Sequence, residues 1–233
     1  MGVTPQQLLL DIRPDTLATL DNFVVGDNAE LVVRLRGLTT PGTPDQIYLW
    51  GPPGSGRSHL LRGAAKLAQA RARPVSFGEG ALLGAETMPA PGTLVIVDDV
   101  DKLNDAAQIS LFRFFNAARQ GGLALLLSGS APPLRLQSTL REDLRTRIGS
   151  ALIYELRPLS DAEKAAALKS HGAGRGMRVD DALIDYLLHH GRRDLPSLLA
   201  VLDALDQISL EQQRPLTLPL LREVLQTSLE LNG

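Results

Sequence analysis

The glycine-rich stretch at residues 51–58 constrains the fold more than any other part of this sequence. It follows a short apolar run at residues 47–50, opens a helical pattern at residues 58–71, and reads Gly51-Pro52-Pro53-Gly54-Ser55-Gly56-Arg57-Ser58. A strand, a glycine-rich turn and a helix in this order are the context in which a phosphate-binding loop works. Glycines let backbone N–H groups surround a phosphate, and the helix start adds its positive dipole end. The alternative is a glycine-proline turn that matches the pattern by chance, and the flanking strand and helix favour phosphate binding.

The last two residues of this stretch define its chemistry. Arg57 stands where the pattern G-x-x-x-x-G-K-[ST] has lysine. A guanidinium keeps the positive charge but is planar and bulkier than an ammonium, so we expect nucleotide binding to survive and the handling of a γ-phosphate to change. Ser58 carries the hydroxyl that ligates Mg²⁺ in such loops. We therefore expect ADP to bind at least as well as ATP.

The composition excludes several classes of protein. The chain has 233 residues, of which 44% are hydrophobic and 21% charged, as is usual for a globular protein. Its net charge of −2 gives no general attraction to DNA or to a membrane surface. It has no cysteine, and its four histidines show no zinc-site spacing. No apolar run is long enough to cross a bilayer and no signal-peptide pattern is visible, so we expect a cytoplasmic protein.

Apolar runs and helical patterns alternate through the first two thirds of the chain. The patterns predict strands at residues 47–50, 75–77, 94–97, 123–127 and 152–156, and helices at residues 27–37, 58–71, 105–119 and 140–147, the first capped by Asp27 or Asn28. Fully apolar strands separated by helices predict an α/β fold with a parallel sheet covered by helices on both faces. The α/β nucleotide-binding domain is expected at residues 21–157.

The pattern changes after Pro158. Ser160 and Glu163 form a capping box in front of an alanine-rich helix. Further helices are predicted at residues 180–190, 195–208 and 219–229, and no strand pattern occurs. The sequence therefore predicts a small helical domain at residues 158–233.

Polar residues follow two of the apolar strands. Asp98 and Asp99 end the strand pattern at residues 94–97, so Asp98 is expected to hold Mg²⁺ opposite Ser58, and Asp99 to orient or deprotonate an attacking water. The alternative is a cap after a buried strand. Ser128 and Ser130 follow the next strand and are candidates to face a γ-phosphate if that strand lies between the other two; plain turn residues are the alternative.

Arginines mark two further positions. Arg145 and Arg147 precede the last predicted strand, where an arginine can reach the nucleotide of a neighbouring subunit. The alternative is a solvated helical face with local ion pairs. Arg193 opens a helix of the small domain, where the helix dipole disfavours a cation. This cost favours a role for Arg193 on the phosphates over a simple charged helix start.

These motifs together resemble the AAA+ family, in its DnaA branch, over nearly the whole chain. Three stretches carry the resemblance besides the phosphate loop: the adenine-contacting segment at residues 21–28 with Asn22, the run Gly56-Arg57-Ser58-His59-Leu60-Leu61, and Arg147-Ile148-Gly149 as an arginine-finger region. Arg193-Asp194-Leu195 resembles the second sensor. The resemblance implies that Asn22 and His59 belong to the nucleotide site. Serines stand at 128 and 130 where the branch commonly places an aspartate, and the second carboxylate is Asp99, where many AAA+ enzymes have a glutamate.

Within this branch the chain is most similar to the Hda subfamily, the regulatory inactivators of DnaA. Arginine in the phosphate loop and the end of the chain after the helical domain, with no helix-turn-helix domain for sequence-specific DNA, are both similar to that subfamily. The segment 1–20 contains Gln7-Leu8-Leu9-Leu10-Asp11-Ile12, which resembles the motif Q-L-x-L-x-L that binds the DNA polymerase III sliding clamp. Gln7, Leu8, Leu10 and Ile12 would enter an apolar groove of the clamp. The alternative is a terminal strand or helix packed on the core.

The resemblance implies a regulator of DNA replication initiation that binds the clamp and a nucleotide, expected to be ADP, and promotes hydrolysis of DnaA-bound ATP. Arg147 would be the inserted finger, and the chain alone is expected to have weak ATPase activity or none. Two alternatives stay open: an active AAA+ ATPase that acts as a helicase-loader or clamp-loader-like subunit, and a non-catalytic adaptor that recruits DnaA. Homo-oligomerisation is also left open.

Overall fold

Two compact units make up the part of the chain that the structure describes. A computed structural model describes residues 18–79, 88–120, 122–192 and 194–230. One unit spans Ala18–Pro158, and the second begins at Leu159. In the described residues no helix is long and apolar enough to cross a membrane.

The first unit is built on a parallel sheet of five strands. In chain order the elements are α1 (Ala29–Leu38), β1 (Gln46–Trp50), α2 (Arg57–Ala70), β2 (Val75–Glu79), β3 (Thr93–Asp98), α3 (Asp105–Arg119), β4 (Leu123–Gly129), α4 (Glu142–Gly149) and β5 (Leu152–Glu155). The strands lie in the order β2-β3-β4-β1-β5, and each neighbouring pair is parallel. The predicted parallel α/β sheet is confirmed, and β4 does lie between β1 and β3.

Alternating side chains of the strands feed two hydrophobic clusters, one on each face of the sheet. On β1, Tyr48 enters one cluster, while Ile47 and Leu49 enter the other. Helices α3 and α4 pack on the first face, and α1 and α2 on the second, because their buried residues belong to the same two clusters. Residues at the strand ends are thereby held between two packed layers.

Helix boundaries differ from the sequence prediction where long-range contacts compete with local patterns. Asn28 occupies the cap position of α1, but its amide donates to the carbonyl of Arg157 at 2.9 Å and accepts from the Arg157 N–H at 2.9 Å. Helix α4 begins at Glu142 because Arg141 is extended and its N–H donates to Gln108 Oε1 at 2.9 Å. The side chains of Asn28 and Gln108 thus make tertiary contacts that the sequence pattern does not reveal.

The second unit consists of helices around its own hydrophobic core. They are α5 (Asp161–Gly174), α6 (Asp181–His190), α7 (Leu195–Gln212) and α8 (Leu218–Glu230), and the described residues of this unit include no strand. Leu168, Leu187, Leu202 and Leu221 are fully or almost fully buried in this core. The predicted capping box is present, since Ser160 accepts from the Glu163 N–H and Glu163 accepts from the Ser160 N–H. Helix α7 runs to Gln212, beyond the predicted end at Ile208, because the polar residues after Ile208 still favour helix.

Candidate nucleotide-binding site

The glycine-rich stretch forms a loop between the carboxyl end of β1 and the first turn of α2. Gly56 precedes the helix with a φ of 99°, in the left-handed region that favours glycine. A Cβ added at Gly56 would lie 2.8 Å from Cε2 of Phe23, so the position is closed to other residues on two grounds. Ser58 lies in the first turn of α2, where backbone N–H groups have no partner within the helix. This is the strand–loop–helix arrangement that the sequence predicted.

Two side chains of the loop carry buried polar atoms that find no partner among the described residues: Oγ of Ser55 and Nη1 of Arg57. Ser55 is only 8% exposed. A buried donor without a partner costs about 1–3 kcal/mol. Phosphate oxygens accept hydrogen bonds from hydroxyl and guanidinium groups alike, so both orphan atoms fit a nucleotide phosphate in this loop.

The second guanidinium nitrogen of Arg57 is already paired. Nη2 of Arg57 lies 3.1 Å from Oδ1 of Asp99, which follows β3. Oδ2 of Asp99 accepts a hydrogen bond from Nζ of Lys102 at 2.7 Å, and this contact raises the pKa of Lys102. Asp99 therefore touches two cations at once. Sequence reasoning missed Lys102, although its spacing of three residues from Asp99 was a usable signal.

Asp98 is buried and oriented by a serine of the neighbouring strand. It is 7% exposed, and its Oδ1 accepts hydrogen bonds from the Ser128 hydroxyl and, at 3.1 Å, from the Asp99 N–H. The same Asp99 N–H donates to Ser128 Oγ at 3.0 Å. Ser128 is fully buried, so it fixes the carboxylate that the sequence predicted as a Mg²⁺ ligand. A polar residue inside an otherwise apolar strand was the signal for this role.

Ser130 lies just beyond the end of β4 and bonds to a different carboxylate. Its N–H donates to Oδ1 of Asp101 at 3.0 Å, and its hydroxyl donates to Oδ2 of Asp101 at 2.8 Å. A contact of Ser130 with a γ-phosphate stays a prediction. In the structure Ser130 stabilises the turn after β3 through these two hydrogen bonds to Asp101.

The segment predicted to contact adenine is tied to α2 through His59. Nε2 of His59 lies 2.9 Å from the carbonyl of Thr19 and 2.9 Å from Oδ1 of Asn22. Both partners are acceptors, so the proton is on Nε2. Burial lowers the pKa of His59, which keeps the ring neutral. The Phe23 ring packs 5.7 Å from the His59 ring, so Asn22 and His59 belong to one local structure beside the phosphate loop.

Arg147 lies on α4 near the amino-terminal ends of β1 and β5, whereas the phosphate loop follows the carboxyl end of β1. Its guanidinium sits 5.4 Å from the centre of the Phe112 ring, which is a cation–π contact. Arg147 also lines an open groove of about 500 Å³ together with Gln46 and Leu152, the first residues of β1 and β5. Arg147 and Arg145 are both half-buried.

Two sets of predicted residues lie outside the described residues: Arg193, and the clamp motif with Gln7, Leu8, Leu10 and Ile12. Next to the first of these, Asp194 caps α7, because its Oδ1 accepts from the Ser197 N–H at 3.0 Å. Arg192 lies 3.6 Å from the other oxygen of Asp194. The start of α7 is therefore capped by a carboxylate, as the helix dipole favours.

Comparisons with known proteins identify the fold and the second unit. Residues 161–225 match the family model of the Hda lid domain. The chain has the AAA+ fold of DnaA, and its C-terminal helical region is similar to the Hda lid domain. Domain III of DnaA from Thermotoga maritima matches with a TM-score of 0.70 and 16% identity, over 90% of this chain and 95% of that one. This confirms the predicted AAA+ fold with a C-terminal helical lid.

Two further structures share the fold at low sequence identity. AMPPCP-bound DnaA from Aquifex aeolicus has a TM-score of 0.64 and 22% identity, over 84% of this chain and 67% of that chain. A single-residue variant of RuvB from Thermotoga maritima has a TM-score of 0.68 and 18% identity, over 90% of this chain and 71% of that chain. These two likenesses show the fold alone, and the similarity to the Hda lid domain is confined to residues 161–225.

Proposed function

We propose that this protein is an Hda-like regulator of DNA replication initiation that promotes hydrolysis of DnaA-bound ATP. The observation that carries the proposal is the match of residues 161–225 to the Hda lid family, in a chain whose fold matches DnaA. An AAA+ fold is compatible with several activities, so the lid is the more specific of the two signals.

The proposed cofactor is ADP or ATP with Mg²⁺, bound at the phosphate loop. The orphan atoms Ser55 Oγ and Arg57 Nη1 support this, since a phosphate would satisfy both. Ser58 and Asp98 are the proposed ligands of Mg²⁺, which would neutralise phosphate charge. Asp99 remains the proposed water-orienting residue, but its contacts with Arg57 and Lys102 favour weak stand-alone ATPase activity or none.

Arg147 is the proposed arginine finger, acting on nucleotide bound to DnaA. Its place beside the first residues of β1 and β5 supports a role in trans, because the phosphate loop follows the last residue of β1. A strand of five residues separates the two ends by about 13 Å. The aromatic contact with Phe112 would pre-orient the guanidinium before any partner arrives.

Residues 7–12 are the proposed contact with the sliding clamp of DNA polymerase III. The support is the sequence pattern, in which a glutamine and spaced aliphatic residues suit an apolar groove. Binding to clamp-loaded DNA would bring the regulator to DnaA after replication has started, and the clamp would then be required for the effect.

The decisive experiment measures turnover of DnaA-bound ATP with this protein and clamp-loaded DNA, with the same mixture lacking the clamp as control. Arg147→Ala should abolish stimulation, because arginine fingers contribute about 10³–10⁵ in rate. Arg145→Ala is the matched control on the same helix and should matter less. If Arg145→Ala abolishes turnover and Arg147→Ala does not, the finger has been assigned to the wrong arginine. If neither variant changes turnover, the protein is an adaptor that recruits DnaA.

The clamp contact is tested with the double variant Gln7→Ala, Leu8→Ala. Leu8→Ala removes an apolar anchor worth roughly 1 kcal/mol or more, and Gln7→Ala removes the glutamine that anchors polar groups. Clamp binding should disappear while ADP affinity stays unchanged. A variant that loses ADP binding together with clamp binding would show that this segment belongs to the core. Appreciable ATP turnover by the protein alone would instead favour an active loader-type ATPase.

A further inference from the structure

The guanidinium of Arg57 is divided between two tasks. Nη2 is engaged by Asp99 at 3.1 Å, while Nη1 is buried and without a partner in the described part of the chain. A lysine ammonium is a single point charge and could not keep two separate arms in this way. One arm of Arg57 thus holds a carboxylate of the protein, and the other is left for an oxygen of a ligand.

The carboxylate of Asp99 is held beside the loop by its backbone. Asp99 has a φ of 50° and a ψ of 60°, a left-handed conformation that aspartate and asparagine tolerate better than most residues. Its N–H donates hydrogen bonds to Asp98 Oδ1 and Ser128 Oγ, and these bonds fix the backbone at the end of β3. Backbone strain of this kind costs about 1–3 kcal/mol and is found mostly at functional sites.

Asp99 therefore forms ion pairs with two cations, Arg57 and Lys102. Lys102 is largely exposed, with 70% of its side chain accessible. Solvent weakens the attraction between Lys102 and Asp99, so Lys102 offsets only part of the Asp99 charge. Arg57 is only 13% exposed, so its pairing with Asp99 is the stronger interaction. A phosphate bound at Nη1 of Arg57 would face the negative charge of Asp99 across the same guanidinium.

We propose that Asp99 is a specificity-determining residue that makes this site favour a nucleoside diphosphate over a triphosphate. The residue at position 57 of such a loop reaches the β- and γ-phosphates. With Nη2 committed to Asp99, one arm remains, which suffices for a β-phosphate. A γ-phosphate adds further negative charge next to the Asp99 carboxylate without a second arm to bind it. This inference rests on the proposed nucleotide site, where ADP is already expected, and adds the residue that sets the preference.

The test compares affinities for ADP and for AMPPCP, which cannot be hydrolysed at its β–γ bridge, by calorimetry on nucleotide-free protein. Asp99→Asn removes the charge, and asparagine suits the left-handed backbone at this position. The preference for ADP over AMPPCP should fall by roughly tenfold in EDTA, about the effect of one nearby unit charge at a half-exposed site. The change should be smaller with Mg²⁺, which neutralises part of the phosphate charge.

Two variants make the test specific. Asp101→Asn removes a carboxylate two residues away that bonds to Ser130 instead of Arg57, and it should change the preference by less than about twofold. Lys102→Ala removes the exposed partner of Asp99 and should change the preference in the opposite direction, towards ADP. A stronger preference for ADP in Lys102→Ala would mean that the Asp99 charge acts on the γ-phosphate. General damage to the site would not strengthen that preference.

The outcomes distinguish this inference from the proposed function. If the wild-type protein binds both nucleotides and Asp99→Asn leaves their ratio unchanged, or Asp101→Asn shifts it equally, Asp99 does not select the nucleotide while the nucleotide site stands. If the wild-type protein binds neither ADP nor AMPPCP, the nucleotide site and the inference both fall. Unchanged thermal unfolding of each variant shows that the fold is intact.

Discussion

Replacing Arg73 with methionine should destabilise the first unit by about 3–5 kcal/mol. Arg73 is 3% exposed and lies between α2 and β2. It donates to four carbonyls: from Nη1 to Leu38 and, at 2.9 Å, to Thr40, from Nη2 to Thr43 at 2.9 Å, and from Nε to Gly92 at 3.1 Å. One side chain thus ties the loop after α1 to the turn before β3.

The size of the effect follows from these contacts. Hydrogen bonds from a charged donor contribute about 1.5–3 kcal/mol each, so four of them would give about 6–12 kcal/mol. Dehydration of the guanidinium offsets several kcal/mol of this sum, as its lowered pKa indicates. Methionine fills the volume of the aliphatic stem but leaves the carbonyls without a donor. About 3–5 kcal/mol is a large part of the 5–15 kcal/mol that stabilises a typical domain.

Urea unfolding followed by tryptophan fluorescence measures this effect in the first unit alone. Trp50 is the only tryptophan of the chain and ends β1, so its emission reports on the sheet. At about 2 kcal/mol per molar urea, the midpoint should fall by about 2 M. Arg71→Met is the comparison, because Arg71 is exposed but also donates from Nη1 to the Arg36 carbonyl and to the Thr39 and Thr40 hydroxyls, so its loss should cost less, about 1–2 kcal/mol. An Arg73→Met midpoint within about 0.5 M of the wild type, or an equal loss for Arg71→Met, would refute this reasoning.

Three further predictions address packing, pH and capping. Gly129→Ala should cost about 1–3 kcal/mol by the same urea assay, because its Cβ would lie 2.1 Å from Oη of Tyr48; no change in midpoint would contradict the packing. Burial lowers the pKa of His59 below its ordinary value of 6.5, so the unfolded chain binds more protons and stability should fall as the pH drops below about 6.5. His59→Gln should remove that part of the slope, and an unchanged slope would exclude His59 as its source. Ser160→Ala should cost the lid about 1 kcal/mol, measured by circular dichroism on heating; an unchanged transition would mean that the cap is dispensable.

The sequence predicted helices and strands well where the residues that set their boundaries are close in sequence. Helix α3 runs over Asp105–Arg119, the range that the sequence predicted, because Asn104 caps it by accepting from the Ala107 N–H at 2.9 Å. The apolar run at residues 94–97 became β3, which extends by one residue at each end. In both cases the residues that set the boundary lie within a few positions of it, so a one-dimensional pattern contains the information.

The candidate site was harder to predict because its contacts join distant parts of the chain. Ser128 bonds to Asp98 across two adjacent strands, and Arg57 reaches Asp99 from a different element. The sequence places all four residues near phosphates but cannot say which of them pair with each other. His59 shows the same limit, since its run resembles a nucleotide site while its ring nitrogen bonds to Thr19 and Asn22.

The order of the strands explains why binding and stimulation should be separable by mutation. Because β4 lies between β1 and β3 and all three are parallel, Gly51, Ser128 and Asp98 meet at one edge of the sheet. Arg147 borders the other edge, beside the first residues of β1 and β5. The distance of about 13 Å along β1 exceeds the reach of an arginine side chain, which is consistent with the proposed role of Arg147 in trans. Under the proposed function, changes to the phosphate loop should therefore alter the retained nucleotide, whereas Arg147→Ala should leave nucleotide affinity unchanged and remove the effect on DnaA-bound ATP.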